Sequence, residues 1–335
     1  MNQCIAWVCL AGSLLQGGSD SALSRYSQSQ PHMGVEFEVV LYAPDRATAE
    51  KGLAAAFDRI KKLDETLSDY RDESELSQLS ASSLHGLEVK VSDELWQILS
   101  ASRALSARTE GAFDITIGPL SKLWRRARRQ RELPSQEQID KALAAVGYQH
   151  LQLNPQMKTA KLLRPQMRLD AGGIAKGYAA EEALIALRKL GITRALVRAS
   201  GDIAAGDAPP GENGWRIGVA PLDPDQTPTR FLLLKNAAVS TSGDARQHLI
   251  VDGKRYSHLI DPRTGYGISS RSSVTVIAPH GIDADSLASA VSILGPEKGL
   301  KLIEETKGAA LLMIVEQEGA ERSIASNCFT AFEAK

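Results

Sequence analysis

Trp215-Arg-Ile-Gly-Val219, Phe231-Leu-Leu-Leu234, Val239, Leu249-Ile-Val251, His258-Leu-Ile260 and Ser273-Val-Thr-Val-Ile-Ala278 follow one another with no helical pattern between them. Short β-like runs in succession read as hairpins, because only antiparallel neighbours can be joined by short turns. A doubly wound parallel sheet would need a helix between each pair of strands. The chain is therefore expected to be α+β, with antiparallel sheets packed against helices.

Working outward, residues 34–43 alternate Val35, Phe37, Val39 and Leu41 with more polar neighbours, the signature of a strand with one buried face. Residues 45–67 carry helical spacing through Leu53, Phe57, Ile60, Leu63 and Leu67, with Asp45 as N-cap. Further helices are expected over 92–107, 135–146 and 174–190, the last closed by Gly191. Strands are expected near Leu151 and Leu169 and over 195–197. Helices over 284–294 and 296–306 then lead to a final strand pair around Leu311 to Val315 and Ser323.

A chain of 335 residues can bury a large core, as one domain or two. Its 43% hydrophobic and 24% charged residues are ordinary for a globular protein, and a net charge of −1 supplies no global field for nucleic acid or anionic membrane. The basic run Arg125-Arg-Ala-Arg-Arg-Gln-Arg131 lacks interleaved aromatics and reads as a solvated face, not a nucleic-acid site.

The N-terminus differs. Cys4 to Leu15 is apolar, too short to span a bilayer but suited to a signal-peptide core, although no basic residue precedes it. Gly17, Gly18 and Ser19 follow, then Ser/Gln-rich sequence to Gln30. Residues 1–30 are thus expected to be a signal peptide and polar linker, and 31–335 a single domain exported from the cytoplasm. Cys9 is preceded by Trp7 and Val8, which argues against a lipid anchor. Cleavage of the leader would leave Cys328 alone, excluding an intramolecular disulfide or thiolate zinc site.

Chemistry concentrates in a few stretches. Arg168-Leu-Asp-Ala-Gly-Gly-Ile-Ala-Lys-Gly-Tyr178 puts two glycines and Lys176 at the start of a helix, where backbone N–H groups and the helix dipole suit an anion. It matches neither a P-loop nor the GxGxxG dinucleotide fingerprint. Asp285 and Ser289 lie one turn apart on a helix, a hard oxygen pair suited to Mg²⁺ or Ca²⁺, or simply a charged helix start with Asp283 as cap. His258 precedes an Asp-Pro-x-x-Gly turn and can move a proton near neutral pH. Ser240-Thr-Ser-Gly-Asp244, Gly111-Ala-Phe-Asp114 and Tyr70 in a polar loop are weaker signals, each equally explained by turn chemistry.

Together and in this order, Met33-Gly34, Leu67-Ser-Asp-Tyr70, Gly111-Ala-Phe-Asp114, Leu169-Asp-Ala-Gly-Gly-Ile-Ala-Lys-Gly177, Thr241-Ser-Gly-Asp244, His258-Leu-Ile-Asp-Pro-Arg-Thr-Gly265 and Ala284-Asp285 resemble the FAD:protein FMN transferase family, formerly called thiamine-biosynthesis lipoproteins. The resemblance runs from Met33 to the C-terminus. It implies a T-fold-like unit of two intertwined lobes and a Mg²⁺-dependent enzyme. Such an enzyme passes FMN from FAD to a Ser or Thr hydroxyl of an acceptor protein, a membrane redox subunit on the periplasmic or other extracytoplasmic face, and releases AMP. By position, Met33, Tyr70, Ala112, Phe113, Asp114, Asp170 and Lys176 would contact FAD. The Gly173 carbonyl, Asp285 and Ser289 would bind Mg²⁺, and His258 would deprotonate the acceptor. Ser289 stands where many members have Thr, Ala245 where an aromatic is common, and Ser200-Gly201-Asp202 replaces a usual Gly-Gly-Asp. The residues alone leave two alternatives open: a Mg²⁺-dependent FAD pyrophosphatase and a non-catalytic FAD-binding protein.

Overall fold

Strands β1 (Ser24–His32) and β2 (Val35–Ala43) form a hairpin that leads into helix α1 (Arg46–Leu67). The next segment holds α2 (Glu75–Ser82), β3 (Glu88–Lys90), α3 (Asp93–Arg108), α4 (Gly118–Gln130), α5 (Gln136–Leu143), β4 (Leu151–Asn154) and β5 (Thr159–Leu162). Helix α6 (Ala175–Lys189) precedes β6 (Ala195–Ala199), β7 (Asp202–Ala205), β8 (Trp215–Gly218) and β9 (Phe231–Leu234). After β10 (Ala237–Gly243), β11 (His248–Val251), β12 (Lys254–Ser257) and β13 (Ser272–Ala278), the chain ends through α7 (Gly281–Glu304), β14 (Ala310–Gln317) and β15 (Ala320–Ala325). This computed structural model describes residues 23–223, 225–243, 248–251, 253–317 and 319–334. The apolar stretch from Cys4 to Leu15, together with Asp244 and Ala245, lies outside the described residues.

The main sheet has eight strands in the order β1-β2-β6-β7-β10-β13-β14-β15, and every neighbouring pair is antiparallel. The expectation of antiparallel sheets packed with helices is met. One face carries Val39, Leu41, Val197, Val274 and Val276 against Phe57, Ile60, Leu184, Leu187 and Val291 of α1, α6 and α7. The other carries Val40, Val239, Ile277 and Leu312 against Trp215, Ile217, Leu232 and Leu234 of the β8–β9 hairpin. Strand β13 is covered on both sides, so all seven of its residues are buried. Each such aliphatic side chain contributes roughly 1.5–3 kcal/mol on burial.

Caps fix the helix starts. Asp45 accepts from the Thr48 N–H at 2.7 Å, Ser92 from Leu95 at 3.2 Å, and Ser135 and Gln138 form a reciprocal capping box. The two helices expected beyond residue 284 are one element from Gly281, broken at Gly295 (φ 76°) just before Pro296. Three expectations change. Residues 24–30, read as a polar linker, belong to β1, because an edge strand is held by backbone bonds on one side and can leave its side chains in water. The stretch at Leu169 is buried yet irregular: Asp170 N–H donates to Ile115 O at 2.8 Å and Arg168 forms a single bridge to Ile117. His258 follows β12 instead of starting a strand.

A third apolar cluster joins α4 to the β11–β12 hairpin and the loop that follows it. Leu120, Trp124 and Ala127 of α4 pack with Leu249 and Ile260, and the Trp124 ring lies tilted 5.5 Å from that of Tyr256. Trp124 also donates from Nε1 to Gly265 O at 2.8 Å, which pins the loop after His258 to α4. Gly265 itself sits at φ 80°, and a Cβ there would lie 2.7 Å from Ile139.

A close backbone contact joins α6 to α7. A Cβ on Gly177 would lie 2.1 Å from Gly281 O, and one on Gly281 2.0 Å from Gly177 O. Two facing glycines thus let the backbones touch, which brings the first-turn N–H of Gly177 to Asp285 Oδ2 at 3.0 Å. Gly281→Ala would force these helices apart. It is expected to cost about 1–3 kcal/mol, the range for overpacking a tight core, and to lower the thermal midpoint by a few degrees. An unchanged melting curve would contradict this packing argument.

Candidate active site

A cleft of about 1180 Å³ opens beside the α6–α7 contact, and Met33, Tyr70, Ala112, Phe113, Asp114, Asp170, Gly173, Lys176, His258, Asp285 and Ser289 all line it. Residues spread over more than two hundred positions are thereby brought to one surface.

One corner is built from oxygen donors. Gly173 faces Ser289 so closely that a Cβ on it would lie 2.8 Å from Ser289 Oγ, and 3.6 Å from the Phe113 ring. Asp285, one turn before Ser289 on α7, is buried. Burial, then the neighbouring Asp202 carboxylate, push its pKa up to about 7, while Lys176 and the Gly177 N–H pull the other way. Lys176 Nζ donates to Gly172 O at 2.8 Å and sits 3.2 Å from Asp202 Oδ2 and 3.4 Å from Asp285 Oδ2. Burial opposes its charge, but the two carboxylates outweigh that and raise its pKa. Asp202 is held in turn by the Ser240 hydroxyl, which donates to Oδ1 at 2.6 Å. Among the described residues no group of three or more His, Cys, Asp and Glu could hold a metal. A cation here would need the hard mixed set of carbonyl, carboxylate and hydroxyl that Gly173, Asp285 and Ser289 offer, and that set suits Mg²⁺.

A second wall is built around Arg125 of α4. Its guanidinium donates to Asp170 Oδ2 at 2.9 Å and to the Asp69 carboxylate, and lies 4.3 Å over the Tyr70 ring. Asp170 Oδ1 accepts from Gly172 N–H at 2.8 Å, which links this wall to the oxygen corner. Burial, and then Asp170, push the Asp69 pKa up, with Arg125 opposing. Asp114 plays a different part. Oδ1 accepts from the Thr116 N–H and hydroxyl at 2.8 and 2.7 Å, and Oδ2 from Tyr148 N–H at 2.7 Å. Its carboxylate therefore clamps two loops beneath Ala112 and Phe113. Met33 occupies the two-residue β1–β2 turn at φ 49°, followed by Gly34 at φ 74°, as a type I′ hairpin requires.

His258 lines the cleft from the loop after β12, which is braced by local hydrogen bonds. Leu259 N–H donates to Ser257 Oγ at 3.1 Å, and Asp261 accepts from Arg263 at its backbone N–H and side chain, at 2.8–2.9 Å.

Sequence reading missed Asp69, Arg125, Arg128 and Asp202. The basic run reads as a solvated face, and that holds for Arg126, Arg129 and Arg131 but not for Arg125 and Arg128. Ser121, Arg125 and Arg128 form an i, i+4, i+7 stripe that lines the cleft beside the buried stripe of Leu120, Trp124 and Ala127. That spacing was the available signal. Arg125→Met would remove the cation that both Asp69 and Asp170 bind directly. It is expected to destabilise by about 3 kcal/mol, as for loss of one partner from a buried pair, with Arg125→Lys intermediate because an ammonium keeps the charge but lacks the planar fork of arginine. Urea unfolding of the two variants would show the order, and equal stability of Arg125→Met and the parent would refute the clamp.

The chain is similar in sequence and fold to known proteins. The ApbE family pattern matches residues 33–313. A FAD:protein FMN transferase of Escherichia coli K12 is 35% identical over 280 residues, covering 80% of this chain and 78% of its own length. One from Vibrio cholerae is 30% identical over 333 residues and covers 98% of both chains. Among solved structures, the flavin transferase ApbE from Vibrio cholerae superposes with a TM-score of 0.83 at 29% identity, over 92% of this chain and 99% of that one. The Pseudomonas stutzeri flavinyl transferase ApbE in its apo form gives 0.81 at 32% identity, over 92% and 97%. With a match to the pattern over most of its length, and relatives of this identity along nearly the whole chain, the protein belongs to the ApbE family.

Proposed function

We propose that the protein is a FAD:protein FMN transferase that moves FMN from FAD to a Ser or Thr hydroxyl of an acceptor protein. The observation that carries this reading is the oxygen corner of Gly173, Asp285 and Ser289 lying in the same cleft as His258 and the Tyr70–Arg125 wall. The cleft is large enough for a dinucleotide, and its two ends differ in chemistry.

In the proposed reaction the acceptor oxygen attacks the phosphorus on the FMN side of the pyrophosphate. The P–O bond to AMP breaks, AMP leaves, and the hydroxyl proton goes to His258. Tyr70 offers a flat face for a ring of FAD, and Phe113, packed on Gly173, closes the floor below it. The carbonyl of Gly173 with Asp285 and Ser289 would hold Mg²⁺, which when bound offsets pyrophosphate charge and favours departure of AMP. Lys176, already charged between Asp202 and Asp285, keeps a cation beside the phosphates. Phosphoryl transfer depends more on such positioning and charge than on covalent catalysis.

The site of action belongs to the same proposal. The apolar stretch from Cys4 to Leu15 supports export, so the acceptor would be a membrane redox subunit with an extracytoplasmic Ser or Thr. No helix among the described residues is long and apolar enough to cross a membrane.

Incubation of the protein with FAD, Mg²⁺ and a candidate acceptor should give covalent flavin fluorescence on a denaturing gel, together with AMP. Free FMN and AMP without labelled acceptor would convert the reading to a pyrophosphatase, and bound FAD with neither product to a binding protein. His258→Ala should still bind FAD but transfer it about 10²–10⁴ times more slowly, the usual size of a lost general base. Asp285→Ala should abolish the response to added Mg²⁺. Full activity of either variant would overturn the role given to that residue.

A further inference from the structure

Arg128 is the cleft residue whose placement the proposed reaction does not explain. It lies in the last turn of α4, where a cation complements the helix dipole, and that alone would let it point to solvent as the exposed Arg129 does. Arg128 instead turns inward beside Arg125 and lines the cleft. Its Nη1 is buried with no hydrogen-bond partner, and among the described residues it makes no ion pair. Burial and then the Arg125 charge push its pKa down, so the fold holds a guanidinium where charge is disfavoured. Arg125 differs in that two carboxylates surround it. A desolvated guanidinium with an unused N–H is costly unless a ligand supplies the acceptor.

The position of Tyr70 indicates which part of a ligand that is. The residue is 71% exposed although the Arg125 guanidinium lies 4.3 Å over one face of its ring, which leaves the other face for stacking. Arg128 is near enough that its charge acts on the Tyr70 phenol. We infer that Arg128 is a substrate-binding residue whose guanidinium donates to an oxygen or nitrogen acceptor on the edge of the ring stacked against Tyr70. The inference rests on FAD being the substrate. The edge belongs either to the flavin, with its carbonyl oxygens, or to adenine, with its ring nitrogens. Both present acceptors in the plane of a stacked ring, which matches the planar fork of arginine.

The test is calorimetric binding of FAD, FMN and AMP to the parent protein and to Arg128→Gln, Arg128→Lys and, as a control on the outer face of α4, Arg126→Gln. The inference expects Arg128→Gln to weaken FAD binding about tenfold or more, as for loss of a hydrogen bond to a charged donor, with an unchanged thermal midpoint. Arg128→Lys should recover part of the loss, and Arg126→Gln should bind as the parent does. The same fold-loss for FMN but not AMP assigns the edge to flavin, and the converse to adenine. Parental FAD affinity in Arg128→Gln overturns the inference while leaving FAD as substrate. Absence of FAD binding by the parent overturns both. Equal weakening for FMN and AMP together with a lowered melt in both Arg128 variants marks Arg128 as structural and also overturns it.

Discussion

Helices α6 and α7 touch backbone to backbone at Gly177 and Gly281, where a Cβ on either residue would come within 2.1 Å of the other's carbonyl oxygen. That contact does more than fill the core. It places a carboxylate from the start of α7 against the unpaired N–H groups at the start of α6, so Asp285 caps one helix while belonging to another. Lys176 and Gly173, both at that same helix start, are then bound to lie beside Asp285 and Ser289. Without the two glycines the oxygen donors would sit on separate helices with side chains between them.

Charge in the cleft is arranged in two linked groups. Asp202 and Asp285 share Lys176, and Asp69 and Asp170 share Arg125. The first group holds two carboxylates to one cation, so a further positive charge would be favoured at the Asp285 end. Gly172 joins the two groups, since its N–H binds Asp170 and its carbonyl accepts from Lys176. The Gly172–Gly173 pair therefore acts as a backbone conduit between the aromatic wall and the oxygen corner, a function that side chains at those positions would obstruct.

Much of this was readable in the sequence, and the remainder failed for identifiable reasons. Helices with a capping residue and a clear apolar stripe, such as α1 from Asp45 and α3 from Ser92, declare themselves locally. All eleven expected site residues line one cleft because their motifs lie at element ends, where turn chemistry is distinctive. Strand β1 was hidden because an edge strand needs no apolar face, and the Leu169 stretch misled because burial without a ladder looks like a strand. Arg125 and Asp69 were missed for a different reason: an ion pair between residues 56 apart leaves no periodic trace. The basic run around Arg125 looked uniform, although one stripe of it faces the cleft and the rest faces water.

The cleft is lined by two kinds of element, and this bears on what each can bind. The oxygen corner and the Arg125 wall stand on α4, α6 and α7, helices fixed by buried packing on the sheet or on the Trp124 cluster. The remaining lining comes from hairpin ends and loops, including Gln226, Pro228, Thr241, Ser242 and His258. A small nucleotide is best served by a rigid, preorganised surface, which lowers the ordering cost of binding. A protein acceptor must bring a hydroxyl past the rim, and loops on a fixed scaffold can accept a chain segment without disturbing the nucleotide site. His258 sits on the loop side yet is tied to α4 through the Gly265 carbonyl and Trp124. That tie places the proton acceptor where an incoming chain would arrive, while fixing its loop to the helix that carries the wall for the nucleotide.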